Sequence, residues 1–310
     1  MPKIILYFLI IIISIENYSA QGCCTVSSNT FGGYERGTAS VGQIKIGLGF
    51  VENQLNSTYT GTSLIEDPLG RSAAVSVYNF EVEYGLASRV SILLSGGITV
   101  KKRETIIFDE NNNKEKILFN GNGIGDVTIL TKYSLIEPSI ISPLGLFIGG
   151  GVKLPVGDNN KKNDGARLPL DLQPGTGSTD LFLWGSFYKG FLPIGISFNS
   201  SFLYRYNGSN LDGYKFGDEY ILSVNANYSP LEFLTASLGI KSRFSKDDFW
   251  GGRFLPSTGG TYHDLIPSIT YYEGNFELRA FYQVPLYRNV KGIQLTTSAV
   301  PGIEILVKFF

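Results

Sequence analysis

The stretch EYILSVNANY, Glu219 to Tyr228, decides the fold. Tyr220, Leu222, Val224, Ala226 and Tyr228 alternate with Glu219, Ser223, Asn225 and Asn227. Successive side chains of a β-strand point to opposite faces, so the stretch has one apolar and one polar face. Its length matches the roughly 9–11 residues with which a tilted strand crosses a bilayer. An average globular strand has roughly 5–6.

The same alternation recurs on both sides. Tyr78, Phe80, Val82 and Tyr84 oppose Asn79, Glu81 and Glu83. Val127, Ile129, Thr131 and Tyr133 oppose Asp126, Thr128 and Lys132, and Ile303, Ile305, Val307 and Phe309 oppose Glu304 and Lys308. About twelve such segments are read. They lie near 40–50, 73–84, 90–108, 116–135, 144–154, 180–189, 194–205, 219–228, 234–244, 262–272, 276–285 and 298–309. Short connections (Gly85–Arg89, Ile136–Pro143, Gly190–Pro193, Ser229–Glu232, Glu273–Asn275) alternate with long ones (Val51–Ser72, Val156–Thr179, Tyr206–Asp218, Ser245–Thr261, Leu286–Thr297). The fold expected is all-β: one antiparallel transmembrane barrel of about twelve strands, with short periplasmic turns and long extracellular loops. Tyr84, Tyr133, Tyr188, Tyr228, Tyr271, Phe276 and Phe309 border the short turns and are read as an interfacial girdle.

Composition agrees. Charged residues are 17% of the 310, against roughly 25% in an ordinary soluble domain, while aromatics are 13% and glycines number 37. The chain is too apolar for disorder and too rich in glycine for a long coiled coil. A net charge of −1 gives no general field for nucleic acid, so none is expected as a partner. One His and two Cys cannot build a conventional zinc site, and neither metal nor cofactor is expected.

The chain opens with Lys3, an apolar run Ile4 to Ile13 and a small-residue exit at Ala20. That is the pattern of a secretory signal peptide, and the run is too short to span a membrane. Residues 1–20 are therefore assigned to export, 21–37 to a flexible mature N-terminus and 38–310 to the barrel. Cys23 is either an acylated N-terminus or part of that flexible segment. The address is a bacterial outer membrane, with its lipid as a partner. The alternating strand Gly302 to Phe310 resembles the terminal strand that the barrel-assembly machinery recognises.

Three stretches carry a family resemblance: GNGIGDVTILTKYSL (Gly121 to Leu135), GLFIGGGVKLPVGD (Gly145 to Asp158) and LDLQPGTGSTDLFLWGSFYK (Leu170 to Lys189). They resemble the outer-membrane family named after the meta-pathway of phenol degradation. Its Gly-x-Gly-Asp falls on Gly123, Gly125 and Asp126, its Lys-Leu-Pro-x-Gly on Lys153, Pro155 and Gly157, and its Pro-Gly-x-Gly-Ser-x-Asp on Gly175, Gly177 and Asp180. The resemblance implies a porin-like outer-membrane transporter of small, hydrophobic or aromatic compounds. Physically these residues are read as structural: the glycines supply backbone freedom and Pro155 ends a strand.

Strand parity then gives the lumen. Its candidates are Glu81, Glu83, Asp126, Lys132, Lys153, Asp180, Arg205, Glu219, Arg243, Arg279 and Glu304. Phe147, Phe182, Trp184, Tyr272 and Phe281 share that face. Three functions follow: passive passage of a small solute, a structural or surface-interaction barrel plugged by charge pairs, and a barrel hydrolase. The last would have to use His263 beside Asp264, yet the chain has no Gly-x-Ser-x-Gly elbow and neighbours in sequence do not orient each other as a triad. No catalytic residue is assigned.

Overall fold

The computed structural model describes residues 37–310 apart from Pro68, 109–113, Asp164 and 192–193. The signal segment, Cys23 and residues 21–36 lie outside the described residues. In chain order the strands are β1 (Ile44–Gly61), β2 (Ser63–Ile65), β3 (Ser72–Ala87), β4 (Val90–Phe108), β5 (Lys114–Ile124), β6 (Val127–Ile136), β7 (Leu144–Leu154), β8 (Lys162–Asn163) and β9 (Ala166–Arg167). They continue with β10 (Asp180–Phe191), β11 (Ile196–Tyr206), β12 (Glu219–Leu231), β13 (Leu234–Ser245), β14 (Phe249–Trp250), β15 (Arg253–Phe254), β16 (Gly260–Glu273) and β17 (Phe276–Phe309).

One sheet takes the order β17-β16-β13-β12-β11-β10-β7-β6-β4-β3-β1 and closes where β1 meets β17. The closing seam runs from Ile44 opposite Phe309 to Val51 opposite Gly302. Every pairing along it is antiparallel. Closure removes the unpaired strand edges that a lipid environment forbids.

The 34-residue β17 is a hairpin. Gly292 has φ 63°, the Lys308 N–H donates to the Asn275 carbonyl at 2.9 Å, and Arg279 reaches Glu304 at 3.6 Å. These contacts fold the strand about Lys291–Gly292, where Gly292 takes the left-handed conformation that favours glycine. Its first limb pairs with β16 and its second with β1. With these two limbs the barrel wall has about twelve passes, an even number that leaves both ends of the barrel on the short-turn side.

The outer surface settles the solvent. Leu48, Phe80, Leu94, Ile148, Leu183, Phe202, Leu222, Ile240, Ile269 and Ile303 are all exposed. They stand on ten different passes, so the apolar surface encircles the barrel. No soluble monomer leaves so large a contiguous apolar surface in water. Such a belt is the lipid-facing band of a membrane barrel.

Four local readings change. Val51–Ser72 and Leu286–Thr297 are largely strand, because β1 runs on to Gly61 and β17 turns at Lys291–Gly292. The segment 116–135 is broken at Gly125–Asp126, where β5 leaves the wall and β6 enters it. Tyr188 faces inward beside Phe147, so the girdle there is taken by its exposed neighbour Phe187. Finally, Gly123 and Gly125 do not have positive φ. A Cβ on Gly123 would lie 2.3 Å from Asp158 Oδ2, so that side chain would have to shift, and a Cβ on Gly125 would meet only ordinary contacts. The close approach is at Gly157, where a Cβ would lie 2.7 Å from the Gly125 carbonyl carbon.

Candidate functional site in the barrel interior

The polar faces of the strands meet inside the barrel as a belt of alternating charge. Asp126 on the β5–β6 break pairs with Lys153 of β7 at 3.0 Å, and Lys153 pairs with Asp180 of β10 at 2.6 Å. Arg205 of β11 forks onto Asp180, with Nη2 at 2.7 Å and Nε at 3.1 Å. Its Nη1 reaches Glu219 of β12 at 3.5 Å, and Glu219 pairs with Arg243 of β13 at 3.1 Å. The Arg243 guanidinium lies 4.2 Å over the Tyr262 ring on β16, and beyond it Arg288 pairs with Asp264. Direct register produces this chain: Asp180 sits opposite Lys153, Arg205 opposite Glu219, and Arg243 opposite Tyr262. Charges buried this deeply persist only when paired and hydrogen-bonded.

The three sequence motifs converge at one end of the belt, on the Asp126 carboxylate. Oδ1 accepts from the Gly157 N–H at 3.1 Å, and Oδ2 accepts from the Thr176 N–H at 3.0 Å and hydroxyl at 2.8 Å. Asp180 accepts from the Ser178 hydroxyl at 2.9 Å and the Gly208 N–H at 3.1 Å. Gly175 lies so close that a Cβ would be 2.8 Å from the Gly157 carbonyl carbon, and Gly177 has φ 71°. Pro155 directly follows the last residue of β7. This knot folds segment 155–179 across the outer mouth.

Other contacts hold the segment down. Lys101 Nζ donates to the carbonyls of Asp171 and Gln173 at 2.9 and 2.8 Å, and Arg103 pairs with Asp171 at 2.7 Å. Leu172 is fully buried, while Leu170 packs on Tyr214, Phe216 and Leu255 of two neighbouring loops. The crevice between these loops and Arg205, Glu219 and Arg243 measures about 10 Å³, room for about one water.

Asp248 joins those two loops. It accepts from the Tyr214 hydroxyl at 2.5 Å and the Gly217 N–H at 2.7 Å. Burial raises its pKa to about 6, because these hydrogen bonds only partly offset the lost hydration. The folded value lies above the unfolded one, so the folded loops bind the extra proton. Stability is then greatest below about pH 4 and falls as pH rises towards 6, by about 3 kcal/mol for two pKa units. Hydrogen exchange at the Tyr214 and Gly217 amides, corrected for intrinsic rate, is expected to be slower at pH 5 than at pH 7. An Asp248→Asn variant is expected to lose that difference.

Below the belt the interior narrows around Leu93, Leu130, Phe147, Trp184, Leu203 and Ile221, with Lys132 Nζ 5.3 Å over the Trp184 ring. Glu83 accepts from Ser91 Oγ at 2.6 Å, Lys132 at 3.3 Å, Lys45 at 3.4 Å and the Ala39 N–H at 3.2 Å. The last bond seats the chain preceding β1 inside the short-turn mouth. Gly37 packs there on Phe147, where a Cβ would lie 2.6 Å from Cζ. Glu83→Gln keeps an acceptor but removes the charge that both lysines face. It is expected to cost about 1.5–3 kcal/mol, read as a lower urea midpoint of unfolding.

Beneath this layer a cavity of about 1000 Å³ opens at the short-turn end. Arg279 lines it, and Glu304 with Glu81 borders a smaller crevice where β1, β3 and β17 meet. The structure thus brings Asp126, Lys153, Asp180, Arg205, Glu219 and Arg243 into one belt. It places Glu83 with Lys132 below it, and Arg279 with Glu304 on the opposite wall. Sequence reasoning missed Asp171, Thr176, Ser178, Asp248 and Arg288. Of these, Thr176 and Ser178 lie within the Pro174 to Asp180 motif that could have pointed to them.

His263 and Asp264 are separated by the sheet. Asp264 is buried on the inner face with Arg288, while the His263 ring lies between Phe244 and Tyr287, with Nδ1 2.8 Å from Ser242 Oγ.

The family described as "Putative MetA-pathway of phenol degradation" matches residues 50–286. No curated protein sequence matches the chain. The crystal structure of an outer-membrane channel from Pseudomonas putida F1 shares the fold with a TM-score of 0.64, over 90% of this chain and 99% of that one, at 11% identity. The NanC porin gives 0.46 over 84% and 100%, at 10% identity. The CymD monoaromatic hydrocarbon channel gives 0.40 over 95% and 94%, at 11% identity.

Proposed function

The chain belongs to the MetA-pathway of phenol degradation family, and from that premise we propose that it is a passive outer-membrane channel for small solutes, apolar and aromatic ones included. The observation that carries the reading is the cavity of about 1000 Å³ that enters from the short-turn end. Between it and the ion-paired belt lies the layer of Leu93, Leu130, Phe147, Trp184, Leu203 and Ile221, and segment 155–179 with its neighbouring loops stands across the belt. Lumen-lining roles are assigned to Glu81, Glu83, Asp126, Lys132, Lys153, Asp180, Arg205, Glu219, Arg243, Arg279 and Glu304. Phe147, Phe182 and Trp184 give the wall apolar surface between these charges. The shared fold with a bacterial outer-membrane channel supports the reading.

A solute passing through meets paired charges, which attract neither sign strongly, and rings that accept apolar groups. Proteoliposomes carrying the purified barrel are expected to take up a small neutral solute faster than empty liposomes. Uptake equal to that of empty liposomes for every solute tried contradicts the proposal. The second reading, a surface-interaction barrel with a closed lumen, draws on the same outer cap. It predicts that deleting residues 159–172 changes partner binding and leaves permeability at zero. No enzymatic role is proposed, since Asp264 is bound to Arg288 on the face opposite His263.

A further inference from the structure

The walls of the short-turn cavity differ in kind. The strands β10 to β16 present neutral, hydrogen-bonding side chains, Ser197, Asn199, Asn225, Asn227, Ser237 and Thr270, while Glu232 on the β12–β13 turn, Arg89 and Glu137 stand at the mouth. The β1 and β17 side carries Lys45, Glu277, Arg279 and Lys308, and these charges are compensated: Lys45 by Glu83, Arg279 by Glu304, and Lys308 by Glu277. Two rings, Tyr188 and Tyr272, stand beside the neutral wall.

One donor on that wall has no partner among the described residues. Asn225 is only 5% exposed, and its Nδ2 is buried without a hydrogen-bond partner. Ser223 Oγ, two residues along the same inner face, is likewise unpartnered. By contrast Asn227 Nδ2 is engaged with Asn199 Oδ1 at 2.9 Å and with Ser197 Oγ at 3.2 Å. A buried donor left unpaired is costly, so a site with one favours a molecule that brings an acceptor.

We propose that this wall binds small uncharged polyhydroxy solutes through Asn225, with Asn199 and Ser237 beside it. A hydroxyl both donates and accepts, and so matches an amide and hydroxyl wall. A purely apolar solute leaves the Asn225 donor unpaired, and sites built around a hydrogen bond reject analogues that lack the partner group. An anionic solute finds no countercharge on this wall and loses hydration. The inference adds one solute class to those of the channel reading and rests on that reading, but binding requires no passage.

The test uses the full-length detergent-solubilised barrel with Trp250→Phe, which leaves Trp184 as the only tryptophan. D-glucose and gluconate serve as neutral and anionic probes of one size, and toluene as the apolar probe. Binding is read by Trp184 emission and by calorimetry. Glucose is expected to bind at least tenfold more tightly than gluconate or toluene. Asn225→Asp keeps the volume and exchanges the donor for an acceptor. Both it and Asn225→Leu are expected to weaken glucose about tenfold, with heat-modifiable gel mobility confirming that each barrel has folded. The proposal is overturned if glucose does not bind, if gluconate or toluene binds as tightly, or if folded variants bind glucose like the parent. A barrel that binds glucose yet transports nothing rejects the channel and retains this site.

Discussion

An Asp126→Ala barrel is expected to lose its outer cap. The Asp126 carboxylate accepts three hydrogen bonds from Gly157 and Thr176 and pairs with Lys153. Removing it leaves those donors without their acceptor and returns Lys153 to Asp180 alone among its carboxylate partners. Breaking a buried pair in this way costs about 3–5 kcal/mol. The loss falls on segment 155–179, because that segment is tied to the wall at both ends of the knot. Trypsin is expected to cut after Lys161 or Arg167 in the variant at least tenfold faster than in the parent. Single-channel conductance is expected to rise several-fold. Asp126→Asn, which keeps acceptors but not the charge, is expected to fall between the two.

Arg205→Met is expected to be comparably severe but to act on the belt rather than the cap. Arg205 bridges Asp180 and Glu219, and it is 3% exposed. Its loss leaves two carboxylates facing each other across a position that neither Lys153 nor Arg243 occupies. The cost is again about 3–5 kcal/mol, read from urea unfolding in detergent. One negative charge is then uncompensated in the lumen. The reversal potential under a salt gradient is expected to shift towards cation selectivity. Arg205→Lys restores the charge but not the planar fork, and is expected to recover selectivity more than stability.

These two sites show how far the sequence can be read. The inward parity of Asp126, Lys153, Asp180, Arg205 and Glu219 is written in the alternation, because one face of each strand must satisfy lipid. Their pairing is not. Which lysine meets which aspartate depends on register between strands brought together only by closure, and on a loop that folds inward. Thr176 reaches Asp126 across fifty residues, a contact that no local pattern encodes. Alternation also fails above the membrane, where water on both sides removes the need for an apolar face. The stretch Gln294 to Ser298 therefore does not read as strand, although it belongs to β17. At Phe187 and Tyr188 two adjacent aromatics obscure the parity, and only the cross-strand position of Tyr188 beside Phe147 settles it. The chain before β1 carries no signal for its seat against Glu83, which is held by a backbone N–H.

The central claim is that the barrel passes solute through its lumen. Planar lipid bilayers containing the purified full-length protein test it most directly. Discrete conductance steps that enlarge when Asp126 is replaced by Ala are the predicted result. A bilayer that stays silent with both the parent and the folded Asp126→Ala protein contradicts it.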